Sequence, residues 1–267
     1  MLRLLPLLGL LAAVLLTPQP SFAAKADATC AGASVRAVAS PTHSRVSPCV
    51  VKHRRVAVET TYYQNASKVG GTALAAFPEV RVRYGLVPRA ELFYDASSEI
   101  AVSGERGSGV YYMTHPGLGA RFEVARAGGV LYSLSAEGHP PLSALANLHL
   151  IPIFDAHAAA NWSASGRNDF AAQAGYLNFE TAFTRNQRSS AFGAFSATHG
   201  LNGRTWATME LGFQSHATWN ARSQTSGIFS LQRSLSETSM MNLELGTAFN
   251  AAGNSKPHYL GFGFAVR

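Results

Sequence analysis

The sequence has few charged side chains and only two cysteines. Charged residues make up 14% of its 267 positions, whereas soluble globular domains contain about 25%. This shortage disfavours an ordinary soluble domain, although soluble β-proteins rich in Gly and Ala share it. The 24 glycines and a mean hydropathy of +0.04 are typical of a β-barrel that exposes one face to lipid.

The first 24 residues have the pattern of a secretory signal peptide. Arg3 precedes an apolar run over residues 4–16, followed by the helix-breaking Pro20 and small residues ending at Ala24. An uncleaved anchor helix is the alternative, but the run is shorter than the roughly 20 residues that cross a bilayer. No second apolar run of helix length follows. Residence in a membrane would therefore require strands in a closed barrel.

Both cysteines, Cys30 and Cys49, precede the first predicted strand. An isolated pair in an exported chain predicts a disulfide, worth about 3 kcal/mol in the chain-entropy model. Two free thiols or a metal pair are the alternatives, but no Cys-x-x-Cys or clustered histidine favours a metal. Residues 25–54 lack periodicity and end in the basic run 52–55. We expect a basic, loosely ordered periplasmic arm that is solvated rather than a binding element.

From Val56 onward the pattern changes to an alternation with period two. Val80 and Val82 alternate with Arg81 and Arg83, as in a strand with two different faces. Such segments predict strands at 55–64, 73–84, 88–97, 117–126, 129–138, 149–162, 170–185, 190–198, 204–214, 225–234, 240–249 and 258–266. Twelve is an even number, as a bacterial single-chain barrel requires. We predict an all-β, antiparallel up-and-down transmembrane barrel over residues 55–267.

The predicted connections alternate between tight turns and longer loops. Residues 85–88 and 126–129 are tight, and they fall on the periplasmic side if the first strand runs outward. The longest loop is predicted between the third and fourth strands, at residues 98–116. This alternation is typical of outer-membrane barrels.

Charged residues on the polar face of neighbouring strands form the candidate site. They are Glu79, Arg81, Arg83, Glu91, Asp95, Arg121 and Glu123. In a barrel this face lines the lumen, where charged rings set selectivity. Alternatively, these residues only pair across strands to satisfy buried charge.

Aromatic residues recur near the predicted strand ends, as in an interfacial girdle. They are Tyr62, Tyr63, Tyr84, Tyr94, Tyr111, Tyr112, Trp162 and Trp206. The alternative is that they form the core of a soluble β-sandwich.

Signs of catalysis or metal binding are weak. The run from His199 to Gly203 resembles a motif of outer-membrane lipid A deacylases but lacks its serine. His149, Asp155 and His157 share one strand face without other zinc-site spacing. We predict no enzyme, no cofactor and no metal. The net charge of +7 does not indicate nucleic acid, because the basic residues are scattered; the expected partners are the bilayer, lipopolysaccharide and a small solute.

Residues 77–92 read Phe-Pro-Glu-Val-Arg-Val-Arg-Tyr-Gly-Leu-Val-Pro-Arg-Ala-Glu-Leu. This segment resembles the most recognisable stretch of the outer-membrane transporters named for the meta-cleavage pathway of phenol degradation. Residues 231–236 and 260–264 are similar in style. The resemblance implies an outer-membrane channel, with hydrophobic or aromatic compounds as its solutes. The chain departs from many such barrels by ending in Val266-Arg267 rather than in an aromatic residue.

The sequence therefore predicts an exported outer-membrane channel of a Gram-negative bacterium for passive uptake or efflux of small compounds. One alternative is a structural or adhesive surface barrel that makes contact through the loop between the third and fourth strands. Another is a barrel-embedded lipid hydrolase.

Overall fold

The computed structural model describes residues 35–39, 47–66, 72–103, 110–139, 150–181, 187–215, 223–249 and 258–267. The predicted signal peptide and Cys30 lie outside these ranges. A short helix, α1 (Val35–Val38), precedes β1 (Val56–Ala66), β2 (Thr72–Val87), β3 (Ala90–Ser103), β4 (Val110–Ala127), β5 (Val130–Gly138), β6 (Leu150–Ser165), β7 (Asn168–Thr181), β8 (Gln187–Asn202), β9 (Thr205–Gln214), β10 (Gln224–Ser234), β11 (Ser239–Ala248) and β12 (His258–Val266). Within the described residues, no helix is both long and apolar enough to cross a bilayer.

The twelve strands form a closed antiparallel barrel. Each strand pairs with its neighbours in sequence, and β1 pairs with β12, with Val58 opposite Val266 and Thr61 opposite Gly263. Closure leaves no free strand edge, because the first and last strands bond to each other. The predicted fold class is confirmed.

Side chains alternate between two environments along each strand. On β5, Ser133, Ser135 and Glu137 are buried inside the barrel, while Tyr132 and Leu134 are exposed outside. The same alternation orients the large apolar residues of the other strands outward. Polar groups therefore line the interior and apolar groups cover the exterior, the reverse of a soluble protein.

The two ends of the barrel differ in their connections. The end that carries the start of β1 and the end of β12, called the turn end, has connections of two or four residues: 88–89, 128–129, 166–167, 203–204 and 235–238. Connections at the opposite loop end have five to eleven residues. Gly128 (φ 57°) and Gly129 (φ 80°) supply the two positive φ angles that a type I′ hairpin turn requires.

The prediction of the longest loop was wrong. β3 continues to Ser103 and β4 begins at Val110, so their connection has six residues. The longest connection spans residues 139–149, between β5 and β6. Backbone pairing continues beyond the apolar alternation, since the polar residues 97–99 still pair with β4.

The described part of the arm lies inside the barrel. Cys49 and Val51 are 1% and 0% exposed, and Ser47 is also buried. The structure thus differs from the expectation of a solvated arm at these residues. An eight-strand barrel is just filled by its own side chains, so a twelve-strand barrel leaves interior space that the arm occupies.

Candidate functional site

The structure places all seven predicted charged residues on the inner face of β2, β3 and β4. Arg83, Glu91, Asp95, Arg121 and Glu123 are buried, and Glu79 and Arg81 are half-buried. Because β2, β3 and β4 are adjacent, their inward side chains can meet across the strands.

Four buried residues form one ion-pair network, here called the Arg83 cluster: Glu59, Arg83, Glu91 and Arg121. Arg83 Nε and Nη2 donate to the two carboxylate oxygens of Glu91 at 2.9 and 3.0 Å. Arg83 Nη1 also donates to Glu59 at 2.7 Å, and Arg121 Nη1 donates to Glu91 at 2.9 Å. The network satisfies buried charge across strands, as the alternative interpretation expected. Removal of one partner would leave the others buried and unpaired.

A second group extends from this cluster toward the loop end. Arg81 Nε donates to Asp95 at 3.0 Å, and Arg81 Nη2 lies 3.4 Å from Glu79. The guanidinium carbons of Arg81 and Arg121 each lie 5.6 Å from the centre of the Phe93 ring. Phe93 therefore offers its ring to two cations on the inner wall.

Glu123 does not join either group. It accepts hydrogen bonds from Arg126 at 2.5 and 2.9 Å, close to the tight turn at residues 128–129. The structure thus separates Glu123 from the other six predicted residues.

Sequence reasoning missed Glu59, Glu137 and Asp155 as members of the charged wall. Glu59 lies on the inner face of β1, and Glu137 is directly opposite Asp155 across β5 and β6. The alternation of Val56 and Val58 with Glu59 already carried the signal for the first of them.

Carboxylates outnumber guanidinium groups on the described inner wall. The buried acidic residues are Glu59, Glu91, Asp95, Glu123, Glu137, Glu210 and Glu244, and the buried arginines are Arg83 and Arg121. The wall of the barrel therefore has an acidic character, although the whole chain is basic.

The helix α1 lies against the inner wall at the turn end. Val35 and Ala39 pack with Met240 and Ala265. Arg36 forms an ion pair with Asp169 at 2.5 Å and stacks 4.4 Å over the Trp206 ring. Burial lowers the pKa of the Arg36 guanidinium, while Asp169 acts in the opposite direction.

The position of Trp206 differs from the predicted aromatic girdle. Its ring faces inward, where Arg36 covers it, whereas Tyr84 and Tyr94 are exposed on the outer face. Trp206 is in register with Gly200 and two residues from the buried Thr208, so strand alternation assigns it to the inside. The side chains of Tyr63, Tyr111 and Tyr112 lie outside the described residues.

Cys49 is disulfide-bonded. The sequence offers Cys30 as its partner, and Cys30 lies outside the described residues. The pairing of these two cysteines stays a prediction.

A serine–histidine pair lies in the wall without completing a catalytic triad. Ser135 Oγ is 2.6 Å from His157 Nε2, but His157 Nδ1 is 4.0 Å from Asp155 Oδ2. That second distance is too long for the hydrogen bond that orients a catalytic histidine. His199 bonds to Asn168 at the turn end. His149 lies outside the described residues, among which no three metal-type ligands converge.

Comparisons with known proteins support the fold. No family model and no curated protein matches the sequence. An outer-membrane channel from Pseudomonas putida F1 is 10% identical, with a TM-score of 0.59 over 81% of this chain and 97% of that chain. The NanC porin is 10% identical, with a TM-score of 0.56 over 80% of this chain and 100% of that chain. The CymD monoaromatic hydrocarbon channel is 7% identical, with a TM-score of 0.50 over 80% of this chain and 88% of that chain.

These solved structures share the barrel fold with this chain, and at such low identity the likeness extends to the fold alone. Membership of the phenol-pathway transporter family, expected from residues 77–92, stays a prediction.

Proposed function

We propose that the protein is an outer-membrane channel of a Gram-negative bacterium, through which small solutes pass passively. The polarity of the closed barrel carries this proposal. Leu118 and Phe262 are 66% and 59% exposed on the outer face, while Arg83 and Glu91 are buried inside. A continuous apolar exterior of this kind suits hydrocarbon, and a charged interior suits water and polar solutes.

The connections give the orientation of the channel. Short turns face the periplasm and longer loops face outward in outer-membrane barrels. The turn end, where both ends of the barrel sequence lie, therefore faces the periplasm, and the loop end faces lipopolysaccharide. The signal-peptide pattern at residues 1–24 supports export to this location.

The acidic inner wall favours small polar solutes, and cations over anions. Glu137 and Asp155 are directly opposite each other on the wall, and carboxylate rings favour cation passage. Arg81 and Arg121 offset part of this charge.

Small aromatic compounds are a second solute class. The resemblance of residues 77–92 and the CymD channel for monoaromatic hydrocarbons favour them. The Phe93 ring, in contact with two guanidinium groups, is the inner-wall feature that a planar aromatic solute could replace or extend.

The two alternatives have less support. An adhesive barrel was expected to use the connection between β3 and β4, which has only six residues. A lipid hydrolase needs an oriented histidine, and His157 lacks that contact with Asp155.

Planar-bilayer recording of the refolded full chain tests the proposal. We expect discrete conductance steps, and a reversal potential in a KCl gradient that reports cation preference. The same preparation after heat unfolding is the control. Absence of steps above this control would contradict the channel, and an anion preference would contradict the assignment of cations.

A further inference from the structure

The inner wall near the periplasmic mouth holds a stretch of extended peptide backbone. The amide of Val51 donates to Glu91 Oε2 at 2.6 Å, and Arg83 Nη2 donates to the carbonyl oxygen of Cys49 at 2.7 Å. Glu91 and Arg83 are paired with each other, so one ion pair binds an N–H and a C=O of the same segment. Both contacts are to main-chain atoms, and hydrogen bonds to charged groups are about twice as strong as neutral ones.

Gly85 completes this site by lacking a side chain. A Cβ atom at Gly85 would lie 2.2 Å from the carbonyl oxygen of Lys52 and 2.4 Å from that of Val51. The backbone of β2 also bonds to the arm, since Arg54 N donates to Gly85 O at 2.7 Å and Gly85 N donates to Arg55 O at 3.0 Å. The arm can lie this close because residue 85 is glycine. Arg83, Gly85 and Glu91 are together called the backbone site.

The segment from Ser47 to Val51 crosses the barrel from one wall to the other. Pro48 lies against Ala171 of β7 and Ser196 of β8, whereas Val51 bonds to Glu91 of β3. β3 and β7 are four strands apart in a barrel of twelve, so the segment spans the interior.

Little space is left beside the arm at this level. The cavity between Ala39 and the wall at Glu59, Glu244 and Ala265 has a volume of about 20 Å³, enough for about one water molecule. A solute larger than water would therefore have to displace the arm.

From these contacts we infer that the inner wall of β2 and β3 is a binding site for an extended peptide backbone, and that residues 49–52 fill it as a tethered plug that closes the channel. This inference rests on the proposed channel function and adds the element that controls it. The ligand of the site is a segment of the same chain, recognised through its amide and carbonyl groups rather than through its side chains.

The wall can compensate for departure of the plug. Arg121 is buried, and its Nε and Nη2 have no hydrogen-bond partner among the described residues, although its Nη1 already bonds to Glu91. When Val51 leaves, Glu91 Oε2 loses one donor, and these N–H groups of Arg121 are available to replace it. The open state then retains a satisfied carboxylate, so closure is reversible.

Two single variants of the full chain test the plug. Gly85→Ala adds one methyl group where the arm backbone passes, and Val51→Pro removes the N–H that Glu91 accepts without changing the barrel. Gly138→Ala is the matched control, since a Cβ there meets nothing within 4 Å. Each protein is reconstituted in planar bilayers, and amide hydrogen exchange of residues 49–53 is followed by mass spectrometry in the same lipid.

For Gly85→Ala and Val51→Pro, we expect loss of exchange protection at residues 49–53. The ratio of open to closed time should rise about tenfold or more, the equilibrium shift for loss of one hydrogen bond to a charged group. Wild type and Gly138→Ala should stay protected and mostly closed.

Three results would overturn the plug. The arm could keep its protection in both variants, or lose it while the conductance stays at a wild-type level that is already high; in the second case the channel proposal survives. If the arm is displaced and no protein conducts, the proposed channel fails together with the plug.

Discussion

Arg83 on β2 and Glu91 on β3 form a two-point ion pair from which solvent is excluded, with both guanidinium–carboxylate contacts between 2.9 and 3.0 Å. Each residue also bonds to the backbone of the arm. The same pair therefore joins two strands of the barrel and holds the segment that fills its interior. Stability of the barrel and closure of the lumen are coupled through these two side chains.

Loss of the Glu91 carboxylate should destabilise the barrel strongly. Glu91→Ala leaves Arg83 and Arg121 with a missing buried partner, and the expected cost is about 3–5 kcal/mol in the free energy of unfolding. Urea unfolding in lipid vesicles measures it. Glu237→Ala, an exposed glutamate in the turn between β10 and β11, should change stability by about 0.5 kcal/mol or less. Equal stability of the two variants would show that the network is not buried.

An arginine on the outer face should be costly only within the apolar band. Leu92 is exposed on β3, and Leu92→Arg should cost roughly 2–4 kcal/mol if the side chain faces the bilayer interior. Leu201→Arg is the control, because Leu201 is equally apolar but lies beside the tight turn at residues 203–204. The same unfolding assay applies. Similar costs for both substitutions would contradict the assignment of Leu92 to hydrocarbon.

Charge on the inner wall should control ion preference. The double substitution Glu137→Gln with Asp155→Asn removes two facing carboxylates and should move the reversal potential toward anion permeation. Arg81→Ala removes a cation from the same wall and should move it in the opposite direction. A reversal potential that does not respond to either change would exclude these residues from selectivity and leave them with a role in pairing alone.

The arm should contain no free thiol. Cys49 is disulfide-bonded, and Cys30 is the only other cysteine. The denatured, unreduced chain should therefore not react with a polyethylene-glycol maleimide, and reduction should produce two adducts visible as gel shifts. Adducts before reduction would contradict the predicted Cys30–Cys49 bridge. A control protein with both cysteines changed to serine should show no adduct in either state.

The barrel could be predicted from the sequence because its strands meet two different environments. The alternation of Val80 and Val82 with Arg81 and Arg83 is a local pattern, and it follows directly from the side-chain geometry of a strand. Prediction failed where the outer residues cease to be apolar, as at residues 97–99 of β3. There the backbone ladder continues, but no contrast between the faces marks it.

The position of the arm could not be predicted in the same way. Residues 47–51 contact the wall through main-chain atoms, which leave no periodic side-chain pattern. Their burial also depends on the diameter of the closed barrel, a property of all twelve strands together. Glu59, by contrast, could have been assigned to the inner wall, since it follows the same alternation as Arg81.

Spin labels placed singly along β12 test the central claim most directly. Residues 260, 262, 264 and 266 face outward, and residues 261, 263 and 265 face inward. In vesicles, accessibility to oxygen relative to a water-soluble nickel complex should alternate with period two along this strand, with oxygen favoured at the even positions. Uniform accessibility along residues 260–266, to either reagent, would contradict a barrel wall that separates hydrocarbon from a polar interior.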